Sequence, residues 1–476
     1  MKKKILITTP IYYVNDKPHI GHAYTTLAAD ILTRFFRIQG KDVFFLTGTD
    51  EHGAKVAEAA EKAGKSPQEI CDKNSEFFKL AWEKLGIKYS YFIRTTEKNH
   101  ERTVIDFLNN LKEKDAVYEK EYEGLYCVAC EKFLTEKDLL NGLCPDHKTE
   151  PKKISEKNYF FKLNSYLDKV KELIVKDKLS IGPENAKKET LGLFKQGLDD
   201  FSISRQKEKV KWGIDLPFDK NQTVYVWVDA LLNYYTGDGS KEFRKYWEHG
   251  KVIHLLAKDI LKFHAIFWPA MLLAAGKKLP DREFIHGFLT INGQKISKTL
   301  GNVIDPVEIV NKFGTDAARY ILLSQFSFGQ DGDVQENRFV EKYNADLANG
   351  LGNLVARVLT LANKYDIKKD KVEKEFEKKI KEIKEIHEKD IQDFRLFEAL
   401  EEVWKLIGFC DKYVEDNKPW GLAKTDKKKL EQVLSNLLYC LSEIADLVAP
   451  FLPETSEKIK TQLKTGQSEI LFPRLQ

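Results

Sequence analysis

Pro10-Ile-Tyr-Tyr-Val-Asn-Asp-Lys-Pro-His-Ile-Gly-His22 is the stretch on which the reading of the whole chain turns. Before it, Lys4-Ile-Leu-Ile-Thr-Thr9 is a short β-branched run with the pattern of a buried parallel strand. After it, Ala23 to Gln39 carries Leu27, Ala28, Ile31, Leu32, Phe35 and Phe36 at the three-and-four spacing of an amphipathic helix. Pro18 suits a first helical turn, and Asp16 is placed to cap the free amides there. His19, Gly21 and His22 thus fall where a strand hands over to a helix N-terminus. Unpaired N–H groups and the helix dipole point outward together at such a place, which favours an anion. Gly21 lets a ligand or ring approach bare backbone. Two imidazoles on one turn can donate hydrogen bonds to a phosphate without adding fixed charge. A histidine pair is by itself more often structural than functional, so the phosphate reading rests on the strand–loop–helix setting.

Working outward, Asp42-Val-Phe-Phe-Leu-Thr47 reads as a second strand that ends in Gly48-Thr-Asp-Glu-His-Gly53. Ser66-Pro-Gln-Glu69 is a capping box that opens a helix, and Arg102 to Lys112 offers another. Strand–helix–strand–helix predicts an α/β fold with a Rossmann-like parallel sheet, helices on both faces and ligand groups at the strand ends. His19 and Asp50 lie at two such ends. From Val117 to Pro217 short strands, turns and a cysteine cluster suggest an insertion. Strand patterns resume at Thr223–Asp229, Val252–Leu256 and Phe284–His286, with an apolar helix over Leu261–Ala275. From Asn337 onward the chain reads as helical throughout. Leu430, Val433, Leu434, Leu437, Leu438, Leu441, Ile444 and Leu447 step by threes and fours, and the charged Lys368–Asp390 stretch lines Val372, Phe376, Ile380, Ile383 and Ile386 on one face. The expected domains are 1–116 and 218–287 as two halves of the sheet domain, 117–217 as a connective insertion, 288–336 as a linker domain, and 337–476 as an all-α domain.

The totals exclude some classes. A chain of 476 residues holds two or three domains with sizeable cores. A net charge of +4 is too small to identify a polyanion binder from the sum, so any such contact must be local. The apolar run after the first lysines stops at Thr8, too early for a secretory leader, and no stretch approaches a membrane span. Cys71, Cys410 and Cys440 sit singly in helical patterns as buried thiols, and cysteine usage of this kind suits a reducing, cytoplasmic setting.

Two further motifs carry chemistry. Cys127-x2-Cys130 and Cys144-Pro-Asp-His147 are chelating pairs separated by thirteen residues, the spacing of a closed tetrahedral zinc site. Four protein ligands leave no position for an activated water, so one zinc here is expected to fasten the insertion rather than act in catalysis. The competing reading is a set of unrelated buried thiols with a surface histidine. Gly293-Gln-Lys-Ile-Ser-Lys-Thr299-Leu-Gly-Asn302 is a polar loop with Lys295 and Lys298 three apart and hydroxyls at Ser297 and Thr299. Such lysines can swing together onto a polyphosphate and answer charge that grows on its bridging and leaving oxygens. Alone the pair would be a solvated surface feature; with the histidine turn in the same chain, convergence on one nucleotide is expected.

His19-Ile-Gly-His22 matches the first hallmark of class I aminoacyl-tRNA synthetases, and Lys295-Ile-Ser-Lys-Thr299 resembles the second. Within that class the chain resembles the methionyl-tRNA synthetases over almost its whole length, through Pro10-Ile-Tyr-Tyr13, Thr49-Asp-Glu-His-Gly53, the zinc knuckle, Val226-Trp-Val-Asp-Ala230, Lys258-Asp-Ile260, Phe263-His264, Phe267-Trp-Pro269, Asn353, Arg357 and Pro419-Trp420. The resemblance implies a two-step reaction. L-methionine is activated with ATP to the adenylate, releasing pyrophosphate, and then transferred to tRNA(Met). His19, His22, Lys295 and Lys298 are implied as catalytic, and His19, Gly21, His22, Asp259, Lys295, Ser297 and Lys298 as ATP-binding, with Mg²⁺ accompanying the nucleotide. The substrate's ammonium group would meet Asp50 and the backbone of Ile11, and its thioether would lie among Tyr13, Trp227, Ala230, Tyr234, Ile260 and His264. An unbranched, polarisable side chain gains from sulfur–aromatic contact, which agrees. The helical domain would read the anticodon with Asn353, Arg357 and a base-stacking Trp420.

The sequence departs from the family pattern at Ile296, Thr299 and Ala257, the last standing where glycine is common before Lys-Asp. The chain ends at Gln476, just past the helical domain, and a monomer is expected. Isoleucine, valine and leucine enzymes need a larger editing insertion, and a cysteine enzyme would place its zinc in the active site. A small-molecule nucleotidyltransferase would need neither the knuckle nor the helical domain, and a non-catalytic tRNA-binding descendant would be expected to lose Lys298 or His22.

Overall fold

The computed structural model of the chain describes residues 2–127, 132–134, 136–145, 148–296, 302–368 and 371–476. They gather into two compact units. One comprises Met1–Lys17, Asp42–Leu80 and Tyr89–Ile285, the other Pro18–Lys41, Ala81–Lys88 and His286–Gln476.

The first unit is built on β1 (Lys4–Tyr13), β2 (Asp42–Asp50) and β3 (Tyr91–Arg94), part of a six-stranded sheet in the order β3, β2, β1, Lys251–Ala257, Arg282–His286, Ser180–Gly182. β1 runs parallel to β2 and to Lys251–Ala257, as the Rossmann-like reading requires. Both strands outrun their apolar patterns. Between Thr8 and Ile11, around Pro10, the register slips, since proline has no N–H for the ladder. Pairing then resumes as Ile11 opposite Gly48 and Tyr13 opposite Asp50. Gly48 lies against the Ile93 backbone, where a Cβ would collide. A continuous apolar cluster runs from Leu6 and Leu46 through Phe107 and Phe161 to Trp247 and Trp268.

Several local expectations are corrected. The edge strand Ser180–Gly182 comes from within the stretch read as an insertion. The remainder of that stretch includes an antiparallel sheet in the order Lys132–Leu134, Val117–Cys127, Lys152–Phe161, Phe201–Ser202. Thr223–Asp229 is not one strand: Asp219–Val224 pairs antiparallel with Ser204–Gln206, and a helix follows at Val226–Leu231. The apolar Leu261–Ala275 stretch includes a π-helical turn, Phe263–Phe267, that runs into the helix Trp268–Ala275.

In the second unit, helix α1 (Ile20–Ile38) starts three residues before the apolar pattern at Ala23, and its N-cap is His19 rather than Asp16. Asp16 instead accepts from the Lys17 amide. The unit continues through the strands Leu289–Ile291 and Gln294–Lys295 and the helices Pro306–Phe313 and Thr315–Leu323 into a helical bundle that ends with Pro453–Thr465. Arg319 is fully buried. It pairs with the equally buried Asp30 of α1 at 2.8 Å and donates to the carbonyls of Leu85, Pro450 and Phe451. Three segments of this unit are thereby fixed to one guanidinium. In the charged helix Lys374–Gln392, Phe376, Ile380 and Ile383 are buried as the pattern predicts, but Ile386 stays 45% exposed and His387 takes the inward place. Among the described residues no helix is long and apolar enough to cross a membrane.

Candidate active site

The first turn of α1 is shaped by its own histidines. The Gly21 amide donates to His19 Nδ1 at 3.0 Å, and the His19 amide donates to His22 Nδ1 at 3.2 Å, which closes a capping box made of imidazoles. The rings stack with centroids 3.8 Å apart. Since both Nδ1 atoms accept, each ring carries its proton on Nε2 and presents a donor there. A Cβ at Gly21 would lie 2.9 Å from His19 Cε1, so a side chain at this position would displace the ring. The same Cβ would be 3.8 Å from Ile296 Cδ1, and the Ile20 amide donates to the Ile304 carbonyl at 3.1 Å. Residues on both sides of the 297–303 segment therefore sit on the turn that carries His19 and His22. Lys295 pairs with Thr290 in its hairpin. Its side chain, together with Ser297, Lys298 and Thr299, lies outside the described residues. Deeper along α1, Thr25 Oγ1 is 2.6 Å from His286 Nε2. His286 donates from Nδ1 to the Gly287 carbonyl, and burial lowers it to about 4.

The other predicted residues lie in the first unit. The β1–β2 register sets Ile11 and Tyr13 beside Gly48 and a buried Asp50. Trp227 and Ala230 lie on the short helix Val226–Leu231, and Trp227 stacks on Phe263 at 4.0 Å and 8°. The neighbouring His264 donates from Nδ1 to the Ile260 carbonyl at 2.9 Å, so its Nε2 accepts from the Tyr234 hydroxyl at 2.8 Å. Burial lowers His264 to about 4, and the ring is neutral. Trp227, Tyr234 and this neutral imidazole are all polarisable rings. Asp259 is exposed on the turn Lys258–Ile260, at the end of the strand Lys251–Ala257.

Sequence reasoning missed a set of buried polar groups in this unit. Asp229 is fully buried; His52 Nδ1 is 2.7 Å from one of its oxygens and His100 Nε2 2.6 Å from the other. Burial opposes its charge, yet the two rings hold its carboxyl down to about 2. Burial likewise opposes protonation of His52, but the charge and hydrogen bond of Asp229 raise it above the ordinary histidine value. Glu51 is also fully buried and accepts from Thr49, Thr96 and Arg94. Only the motifs Thr49-Asp-Glu-His-Gly53 and Val226-Trp-Val-Asp-Ala230 pointed to this region. His100 lay in no motif.

Of the four proposed zinc ligands, Cys127 and Cys144 are buried in one small cluster with Leu134, and the Cys144 amide donates to the Thr149 carbonyl. Cys130 and His147 lie outside the described residues. In the helical bundle Asn353 is exposed and opens the helix Asn353–Lys364. On the same helix Arg357 pairs with Glu415 at 2.7 Å, and Trp420 is 44% exposed on the helix Pro419–Thr425.

A strand–helix junction with paired imidazoles, on a parallel sheet followed by a helical bundle, defines a class I aminoacyl-tRNA synthetase. Comparison agrees. Residues 5–156 and 137–359 match the family described as tRNA synthetases class I (M), and residues 373–474 match the anticodon-binding domain of tRNA ligases. The chain is 43% identical to the methionine–tRNA ligase of Thermotoga maritima, covering 96% of this chain and 74% of that protein, and 42% identical to that of Nostoc sp., covering 98% and 91%. A Mycobacterium tuberculosis methionyl-tRNA synthetase structure, in complex with methionyl-adenylate, superposes with a TM-score of 0.91 at 35% identity over 100% of this chain and 99% of that one. The chain belongs to the methionyl-tRNA synthetase family.

Proposed function

We infer that this methionine–tRNA ligase carries out its first step with the residues described above. Methionine's carboxylate attacks the α-phosphorus of ATP in line. The P–O bond to the bridging oxygen breaks, pyrophosphate leaves with that electron pair, and methionyl-adenylate forms. Asp50 and the Ile11 backbone hold the ammonium group, while Tyr13, Trp227, Ala230, Tyr234, Ile260 and His264 surround the thioether. His19 and His22 donate to the phosphates, Gly21 lets the nucleotide lie close to backbone, and Asp259 holds the ribose. Lys295, Ser297 and Lys298 close on the leaving oxygens, where positioning and charge do most of the work. Mg²⁺ accompanying ATP would supply further positive charge at the phosphates. The tRNA's terminal ribose hydroxyl then takes the acyl group, and AMP departs. Asn353, Arg357 and Trp420 serve the anticodon.

The observation that carries this reading is the contact of Ile296 and Ile304 with the first turn of α1. Two buried thiols in one cluster suit a zinc site completed by Cys130 and His147, and such a metal fastens the insertion without touching the reaction. ATP–pyrophosphate exchange measured across the twenty amino acids tests the assignment: exchange should depend on methionine, and Lys298→Ala should lower its rate at least a hundredfold while methionine affinity stays within twofold. An unchanged exchange rate in the variant removes Lys298 from the chemistry.

A further inference from the structure

Asp50 ends β2, and His52 follows two residues later. Trp227 and Ala230 lie on the helix Val226–Leu231, and Asp229 sits between them in sequence. The Asp229 carboxylate joins these parts: one oxygen meets His52 Nδ1 at 2.7 Å, and the other meets His100 Nε2 at 2.6 Å. Beyond His100, Nδ1 is 3.1 Å from Thr236 Oγ1, and that hydroxyl donates to the Leu232 carbonyl one helical turn back. With the Thr236 proton so committed, His100 Nδ1 donates to it and His100 Nε2 donates to Asp229. Each oxygen of the carboxylate is thus met by a ring N–H donor. All three residues are at least 95% buried. The loop at the end of β2 is itself pinned on its other side. The Trp212 indole N–H donates to the Glu51 carbonyl at 2.6 Å, and the Gly53 amide to the Trp212 carbonyl at 3.0 Å.

We propose that Asp229, clamped by His52 and His100, is a positioning residue that sets the distance between the ammonium-binding and thioether-binding ends of the methionine pocket. The proposal rests on the pocket assignment made above. A carboxylate held from two sides in a dry interior has little freedom, and it fixes the strand end bearing Asp50 and the helix bearing Trp227 to a common point. Substrates that span both ends feel this spacing. ATP, bound through other residues, does not.

Steady-state exchange kinetics on the full chain, with folding followed by circular dichroism, provide the test. Asp229→Asn should raise the KM for methionine at least tenfold, leave the KM for ATP within twofold, and change kcat less than the methionine KM. His100→Ala should do the same more weakly. His100→Gln, whose amide nitrogen can occupy the Nε2 position, should restore most of the loss. If wild-type exchange is not methionine-dependent, the pocket assignment itself fails. If the wild type is methionine-dependent but folded Asp229→Asn keeps its methionine KM within twofold, the positioning role is overturned. Should Asp229→Asn not fold, the decision falls to the His100 pair. Equal kinetics for His100→Ala and His100→Gln, or parallel rises in both KM values, overturn it equally.

Discussion

Asp229 and Glu283 are both fully buried carboxylates in the sheet-bearing unit, and they have opposite fates. Asp229 has an imidazole on each oxygen and is held down to about 2. Glu283, on the strand Arg282–His286, has no hydrogen-bond partner for either oxygen, and burial alone pushes it up to about 8. Depth is the same and chain chemistry nearly so; the difference is the partner. Burial disfavours the charged form of any carboxyl, and only opposite charge or donors at hydrogen-bond distance reverse the sign. Asp229 is an ion at neutral pH and can act as a rigid anchor. Glu283 is a neutral acid at the same pH and acts as a filler. Asp30 in the other unit is likewise buried and paired, with Arg319 and Arg34 as its partners.

The sharpest way to break this contrast is to make Asp229 resemble Glu283. The double substitution His52→Ala/His100→Ala removes both donors and leaves an uncompensated buried charge, a change that costs roughly 3–5 kcal/mol. Urea denaturation at pH 7.5 measures it. Because the stripped carboxyl escapes the penalty by taking a proton, the loss relative to wild type should shrink as pH falls toward 5. A loss independent of pH would mean that packing of the two rings, not charge, holds the region.

The reverse manipulation is smaller and opposite in sign. The folded-state value of Glu283 is raised, so the favourable neutral form is fully present below the unfolded value near 4.5, and its stability is lost as pH rises toward about 8. At pH 7 the charge penalty comes to about 3 kcal/mol. Glu283→Leu should therefore stabilise the protein at pH 7 and more at pH 8, with the gain fading toward pH 4.5. Thermal melts across that window check it, and a gain that does not change with pH would assign the effect to packing.

How legible these features were in the chain follows from how far apart their parts lie. The capping box at Ser66 and the bundle stripe from Leu430 rest on neighbours three or four residues away, the parallel sheet was read from the order of strand and helix patterns, and each is recovered in the structure. The polar network is not local: His100 and Asp229 are 129 positions apart. Asp229 was visible only as a letter in Val226-Trp-Val-Asp-Ala230, and the alternation Thr223-Val-Tyr-Val-Trp-Val228 reads as a strand. The chain instead turns at Tyr225 into a six-residue helix, too short for periodicity to reveal. The cap of α1 was missed for a different reason. Imidazole seldom caps a helix, so Asp16 looked the better candidate by propensity, yet the ring pair of His19 and His22 fills both reciprocal bonds.

The helical unit extends the contrast to bases, with the smallest expected effect. His387 takes the inward place on its helix that the apolar pattern gave to Ile386, and its ring sits edge-on to Phe451 at 5.9 Å. Burial lowers it to about 4. A buried histidine mirrors a buried lone glutamate: its neutral form is the stable one, but acid rather than alkali threatens it. The unfolded chain binds the proton at about 6.5 and the folded chain only near 4, so the stability His387 contributes is present above 6.5 and is lost as pH falls through that window. At pH 5 the loss from this one ring is about 2 kcal/mol. His387→Leu, of similar volume, should leave the urea midpoint at pH 7.5 little changed and raise it at pH 5. Since Glu283→Leu stabilises toward alkali and His387→Leu toward acid, the two should shift opposite limbs of one stability–pH curve and combine additively. A His387→Leu protein that still loses the wild-type amount between pH 6.5 and 5 would move the acid sensitivity to other buried imidazoles, among them His264 and His286, which also lie near 4, and His254, which burial lowers as well.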